Sequence, residues 1–298
     1  MSQSITRRSA LGMAAGSMLA GAESRGLLFG FSLYGMKTVP LSEAIGHCAR
    51  IGYKAVELCL RAGWATEPKL LTKADRTSIR KRIADFGLAL PSVMENIPLG
   101  RPDGARQVNL ERLRAAAEIC QEASPGPPAL IETTVGGRPA NWEQAKNAMA
   151  DELGAWAKTL EQLKTTLAIK AHSKNAMSLP ERALWMVDQV KSPWVKLVYD
   201  YSHYQVNGLD MSKTMEQVAS RAVFAHIKDS TGTGANFRFL LPGDGHTDYK
   251  AYVKALVGVG YRGPVLVEVS VDVFDQPNYD PLAAARRVWE KVSPAFAT

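Results

Sequence analysis

Four short stretches carry the residue types that do acid–base chemistry. Lys170 and His172 stand two apart in Leu167-Ala-Ile-Lys-Ala-His172, Asp200 opens Asp200-Tyr-Ser-His203, His226 lies in Ala225-His-Ile-Lys-Asp229, and Glu268 interrupts the apolar run Val265-Leu-Val-Glu-Val269. Taken singly, each has an ordinary explanation. A lone histidine on an apolar strand is usually hydrogen-bonded core, and Asp200 alone could cap the turn after its strand. Together, an amine, an imidazole and two carboxylates at one level would each be penalised by desolvation unless they served one another. They therefore read as one shared polar site able to hold charge and pass protons. Glu57 in Ala55-Val-Glu-Leu58 and Glu132 in Leu130-Ile-Glu-Thr133 are of the same kind, each either touching a substrate or pairing with a neighbouring Lys or Arg.

The elements that must position these groups follow from the hydrophobic period. Eight β-rich runs (28–33, 54–60, 88–93, 129–135, 166–172, 195–200, 222–228 and 265–269) alternate with amphipathic segments at 42–51, 73–86, 110–122, 142–163, 180–190, 247–257 and 281–292. Pro180 suits a first helical turn, Gly52 and Gly87 suit helix C-termini, and Thr247 or Asp248 suits an N-cap. Eight such units at roughly 35 residues each predict an α/β fold, a single-domain (β/α)8 TIM barrel over 23–298. An open doubly wound sheet is the alternative, but it needs a Gly-rich nucleotide turn after the first strand, and Phe31-Ser-Leu-Tyr-Gly35 offers none. In a barrel the active site lies at the C-terminal strand ends. If Leu167, Ile169 and Ala171 face the helices, Lys170 and His172 point into the mouth, and His226 falls in phase with Ala222 and Phe224.

Composition narrows the partners. The chain has 298 residues, 46% hydrophobic and 22% charged, enough to bury a large core. Its net charge of +7 comes from residues at helical spacing, such as Lys73, Arg76, Arg80, Lys81 and Arg82, with no interleaved aromatics. That is a solvated helix face, not a nucleic-acid patch. Cys48, Cys59 and Cys120 cannot all pair and show no metal spacing, so they read as small buried hydrophobes. No apolar run reaches the roughly 18 residues that would make a membrane span. At the N-terminus, Thr6-Arg-Arg-Ser-Ala-Leu11 precedes a weakly apolar stretch and Ala20-Gly-Ala22. This order of positive, apolar and small residues predicts a twin-arginine-type export signal over 1–22 and a periplasmic mature protein.

These residues, in this order, resemble the xylose isomerase-like family of sugar isomerases and epimerases, which includes inosose dehydratases and endonuclease IV. The strongest parts are Asp200-Tyr-Ser-His203, His226-Ile-Lys-Asp229, Gly243-Asp-Gly245 before a helix, and Glu268; Gly52-Tyr-Lys-Ala-Val-Glu57 and Val135-Gly-Gly137 also fit. The resemblance implies a divalent metal, Mn, Mg or Zn, held by a Glu on strand five, an Asp on strand six, a His on strand seven and a Glu on strand eight. Asp200, His226 and Glu268 match three of these positions, and oxygen and imidazole ligands suit such ions. The family's strand-five Glu-x-His is Lys170-Ala-His172 here. In family epimerases the strand-five and strand-eight glutamates are the acid/base pair, so half of that pair is missing.

The lysine can stand in for the metal, because Asp200, Glu268 and one ammonium carry the same net charge as three carboxylates and one divalent ion. Keeping both cations a few ångströms apart would cost on the order of several kcal/mol at an effective dielectric near 20. No tightly bound metal is therefore expected. The remaining set supports proton transfer next to a carbonyl, with Glu268 as general base and Lys170 stabilising an enediolate. Lysine as the base, or as a Schiff-base amine, needs a lowered pKa that the nearby carboxylates oppose. His172 and His203 would hydrogen-bond substrate hydroxyls or site carboxylates, and Trp64 and Tyr34, in loops after strands two and one, would stack on a sugar ring. Three function classes follow: a sugar or keto-sugar isomerase, epimerase or lyase; a catalytically silent sugar-binding barrel; and a nuclease of the endonuclease IV kind. Five histidines are too few for the three zinc ions of the last.

Overall fold

The alternating runs close into a barrel in the computed structural model, which describes residues 26–99 and 105–297. The expected export signal at 1–22 lies outside the described residues. Strands β1 (Phe29–Ser32), β2 (Ala55–Cys59), β3 (Ser92–Met94), β4 (Leu130–Thr134), β5 (Leu167–Lys170), β6 (Val195–Asp200) and β7 (Ala222–Ile227) pair in parallel in chain order. A short antiparallel hairpin, β8 (Asp229–Thr231) and β9 (Arg238–Leu240), stands apart, and β10 (Val265–Val267) closes the circle between β7 and β1. The principal helices between strands are α1 (Leu41–Ile51), α2 (Lys73–Asp85), α3 (Ala105–Glu122), α4 (Trp142–Leu163) and α5 (Pro180–Val190). They continue with α6 (Tyr201–Gln205), α7 (Met211–Gln217), α8 (Tyr249–Gly258), α9 (Val271–Phe274) and α10 (Pro281–Val292). This is the (β/α)8 barrel that the residue pattern predicts, with β10 as its eighth strand. No described helix is long and apolar enough to cross a membrane.

Alternation along each strand divides the side chains between the helix layer and the barrel interior. At the N-terminal end of the interior, Ala55, Ala168, Val198, Phe224 and Leu266 pack together as an apolar plug. Burying Phe224 and Leu266 there contributes roughly 1.5–3 kcal/mol each. Gly30 belongs to the same crowded layer: a Cβ on it would come within 2.6 Å of the Ala55 carbonyl oxygen and 2.9 Å of Leu266. The next inward residues along the same strands are Glu57, Lys170, Asp200, His226 and Glu268, so continuing the alternation by one step moves the interior from apolar to charged.

Some details differ from the pattern: α3 begins at Ala105, ahead of the expected 110, and β10 ends at Val267, short of the expected 269. The third strand, expected at 88–93, begins at Ser92, because Pro91 has no N–H for the ladder; only an isolated bridge joins Ala89 to Ala55. Helices α6 and α7 and the β8–β9 hairpin are too short to produce a readable period. The hairpin is nevertheless anchored: Asp229 accepts bonds from the Gly243 N–H at 2.7 Å, the Gly245 N–H at 3.0 Å and the Tyr249 hydroxyl at 3.2 Å. A side chain on Gly245 would meet the Asp229 Cβ at 2.8 Å, so the close approach requires glycine there. Asp248 caps α8 as expected, and the three cysteines are buried and unpaired.

Candidate active site

The C-terminal end of the barrel interior gathers four carboxylates, two ammonium groups and three imidazoles. Glu268, just past β10, lies at the centre. Its Oε2 accepts from Lys170 Nζ at 2.9 Å and from Lys228 Nζ at 2.7 Å. Its Oε1 makes no hydrogen bond among the described residues. Its side chain keeps 11% of its surface, against 0–3% for Glu132, Asp200, Lys170 and Lys228, so the free oxygen faces the mouth. Burial alone would raise the Glu268 carboxyl, but Lys170, Lys228 and His226 outweigh it and hold the group well below the usual carboxylate range.

The two lysines differ in how their protons are used. Lys170, at the end of β5, is surrounded from within the barrel. Its Nζ lies 2.9 Å from Glu268, 3.0 Å from His226 Nδ1 and 3.1 Å from Glu132 Oε1, the last off the line of a hydrogen bond. Burial opposes its charge, yet Glu132, Glu268 and Asp200 together push its pKa above the ordinary lysine value. Lys228 follows β7 and bonds Asp200 Oδ2 at 2.5 Å and Glu268 Oε2 at 2.7 Å, and among the described residues its third N–H has no acceptor. The ring of Phe239, on the hairpin, lies 5.1 Å away. The sequence motifs single out no role for Lys228, although the alternation Phe224, His226, Lys228 puts it inside the barrel.

Glu57 and Glu132 have no exposed surface, and the structure places them beneath the mouth. Both oxygens of Glu57 are occupied, Oε2 by the Ser32 hydroxyl at 2.5 Å and His226 Nε2 at 3.0 Å, Oε1 by the Ser92 hydroxyl at 2.7 Å. Its ring partner is thus a histidine, where the sequence allows a Lys or Arg. Burial would raise Glu57, and the His226 contact with these hydroxyls lowers it below the usual range. In Glu132 burial wins over Lys170, and the carboxyl is raised. The Glu57 bond holds the His226 proton on Nε2 and turns Nδ1 to Lys170.

The remaining residues line the mouth. Asp200 caps the short α6, accepting from the Ser202 N–H at 3.2 Å and hydroxyl at 2.6 Å, while its other oxygen takes Lys228. His172 is half-buried and accepts the Lys174 N–H on Nδ1 at 3.2 Å. His203 is buried, with the Ser173 N–H 3.4 Å from its Nδ1 and Asp200 Oδ2 3.6 Å from its Nε2. These acceptor bonds put both ring protons on Nε2. Burial with Lys228 and Lys170 nearby lowers His172 to about 3 and His203 well below the ordinary value, so both imidazoles are neutral donors. Tyr34 and Trp64 stack at 5.4 Å, with Phe274 edge-on to Tyr34 at 4.9 Å, and form an aromatic wall near β1 and β2. Arg61 donates to the Tyr34 hydroxyl at 2.7 Å.

Asp200, His226 and Glu268 each offer one ligand atom, all within 4.8 Å of one another, so the three could hold a metal ion. The ammonium groups touch this same set: Lys170 contacts His226 Nδ1 and Glu268, and Lys228 contacts Asp200 and Glu268. As arranged, protein cations neutralise this donor set, so a divalent ion would have to displace the ammonium contacts.

Residues 45–292 match the family model described as xylose isomerase-like TIM barrel. The L-ribulose-5-phosphate 3-epimerase UlaE of Escherichia coli (strain K12) is 25% identical over 243 residues, covering 80% of this chain and 81% of its own. Two solved structures share the fold. The IOLI protein with a bound zinc atom superposes with a TM-score of 0.75 at 17% identity, covering 91% of this chain and 100% of that one. D-psicose 3-epimerase in the presence of D-fructose does so with a TM-score of 0.72 at 14% identity, again over 91% and 100%.

Proposed function

The chain belongs to the xylose isomerase-like TIM barrel family, and from that premise we propose that it is a sugar or keto-sugar isomerase, epimerase or related lyase working by proton transfer next to a carbonyl. The observation that carries this reading is the state of Glu268: one oxygen clamped by two ammonium groups, the other open to the mouth. The open oxygen is the general base. Lys228, with an unused N–H, and His172, with its Nε2–H, are the donors to the oxygens of a developing enediolate. Lys170 takes the position of the family's strand-five glutamate and acts from within the barrel as the buried counter-ion that keeps Glu268 ionised. The same cations that make Glu268 a weak base stabilise the enediolate, so the barrier is lowered through the oxyanion more than through the base. The aromatic wall of Tyr34 and Trp64 offers an apolar face to a sugar ring. The relatives act on phosphorylated or free ketoses by their names, which supports a carbohydrate substrate here.

In this reading the two ammonium groups serve where relatives use an inorganic cation, and the purified protein carries no stoichiometric Mn, Mg or Zn. Elemental analysis tests this directly, and Lys170→Glu should gain binding of Mn or Zn. A stoichiometric metal in the unmodified protein overturns it. Activity is tested on ketopentoses, ketohexoses and keto-glucosides followed by NMR, with turnover expected in the wild type and at least a 100-fold loss in Glu268→Gln. The second reading, a silent sugar-binding barrel, is favoured by the lost strand-five glutamate, and sugar binding without turnover would establish it. We further propose export by the twin-arginine route to the periplasm, which N-terminal sequencing of the protein from its host would check.

A further inference from the structure

We infer that this site moves protons on one face of its substrate, so that it carries out transfer between neighbouring carbons or β-elimination, not inversion of a single carbon. The inference rests on the sugar-enzyme reading above and deepens it by naming the reaction class. Inversion next to a carbonyl needs a proton removed on one side of the carbon and returned on the other, hence two proton-carrying groups facing each other across the substrate. Among the described residues only one carboxylate oxygen is open to the mouth, Glu268 Oε1.

The other acid groups of the barrel interior are either hydrogen-bonded or sealed from the mouth. Asp200 Oδ1 accepts from Ser202 and Oδ2 from Lys228. Glu57 is held by Ser32, Ser92 and His226. Glu132, on β4, lies directly across the barrel from β10 in the strand order, where a second group would be needed. It has no exposed surface, and the Lys170 ammonium sits between it and Glu268, 3.1 Å from one and 2.9 Å from the other. Lys170 itself has its acceptors inside the barrel. His172 and His203, from the β5 and β6 loops, accept backbone N–H groups on Nδ1, which leaves the half-buried His172 with Nε2–H as a donor, while the Nε2 of His203 is buried 3.6 Å from Asp200. Tyr34 follows β1, the neighbour of β10, so it stands on the same side as Glu268, with its hydroxyl bonded by Arg61.

The chemistry balances without any added oxidant or metal. Glu268 Oε1 takes the proton from the carbon next to the carbonyl. The C–H electron pair becomes the C=C bond of the enol, and the carbonyl π pair moves to its oxygen, where the free N–H of Lys228 meets it. In one outcome the enediolate shifts its hydroxyl proton to the oxyanion, and Glu268 returns the carried proton to the former carbonyl carbon on the same face, giving the isomer. In the other, the oxyanion pair re-forms the carbonyl, the enol C=C pair shifts to the next carbon–carbon bond, and the C–O bond on that further carbon breaks with its electron pair. The departing oxygen takes the proton from Glu268, leaving an unsaturated ketone and an alcohol or water.

The test uses the full chain in D2O with D-fructose, D-psicose, L-ribulose and a 3-keto-glucoside, followed by NMR and mass spectrometry. Expected are an aldose carrying deuterium or an unsaturated ketone with release of the aglycone, with any C3 or C4 epimer at least 100-fold slower, and loss of all exchange by at least 100-fold in Glu268→Gln. An epimer as the main product overturns the one-face inference while leaving the sugar-enzyme reading intact. Exchange undiminished in Glu268→Gln also overturns it. Sugar binding with no exchange on any probe overturns both and leaves the silent barrel.

Discussion

The two ends of the barrel interior are built on the same eight strands and face opposite demands. At the N-terminal end Ala55, Ala168, Val198, Phe224 and Leu266 make a dry plug. One alternation further along, Glu57, Glu132, Lys170, Asp200, His226 and Glu268 occupy the equivalent inward positions, nearly as buried but charged. The first arrangement gains stability from every contact. The second needs each charge to be compensated before it becomes tolerable, and a hydrophobic filling of the same volume would often be no less stable. Ionised groups retained there, with one oxygen left open, make sense for chemistry and not for packing.

The largest effect expected from breaking this contrast is at Lys170. Lys170→Met removes the cation between Glu132 and Glu268 and should cost about 3–5 kcal/mol of unfolding free energy in urea titrations. Adding Glu132→Gln should recover part of that loss, because the charge left unpaired is removed with its partner. A single variant as stable as the wild type would mean that Lys170 is not the buried counter-ion. At the other end, Leu266→Ala should cost about 3 kcal/mol through a dry cavity. Its kcat/KM per folded molecule should stay within about threefold of wild type, since catalytic groups begin one layer above. A large loss of activity would show that the plug and the mouth are not separable.

Lys228→Met comes next. Glu268 keeps Lys170, but Asp200 loses the ammonium on its buried Oδ2, so stability falls as well, while kcat should fall about 100-fold or more as the donor to the oxyanion is lost. Steady-state kinetics with unfolding curves on the same preparation separate the two effects. An unchanged kcat would return the role of electrophile to Lys170.

How much of this was legible beforehand follows the same division. Alternation within a strand is a local signal, and it points Lys170 and His172 into the mouth and sets His226 in phase with Phe224. The exact bounds of β6, α4, α5 and α10 were equally readable, because long periods with clear starts carry their own evidence. Pairing was not legible. The partners of Glu57 are 25, 35 and 169 residues away, and only closure of the barrel brings Ser32, Ser92 and His226 together around it. The role of Lys228 depends on which of two ammonium groups keeps a spare proton, a question of three-dimensional donor counting. The β8–β9 hairpin, three residues per strand, left no period to read, yet it brings Phe239 over Lys228.

The smallest effect expected is at the aromatic wall, where the plug's kind of interaction reappears at the mouth. Trp64 is half-buried and donates its indole N–H to the Tyr34 carbonyl oxygen at 3.1 Å, with its ring stacked on Tyr34 and a Lys37 ammonium 4.6 Å from the ring centre. If the wall serves a sugar ring, Trp64→Ala should raise KM about tenfold, roughly 1.4 kcal/mol, with kcat nearly unchanged, because the stacking contact is made equally in ground and transition states. If the wall is only packing, the same substitution lowers the unfolding midpoint and leaves KM alone. Trp64→Phe decides between them: it keeps a stacking face and loses the indole N–H, so a KM near wild type with a lowered midpoint assigns the ring to the substrate and the hydrogen bond to the fold.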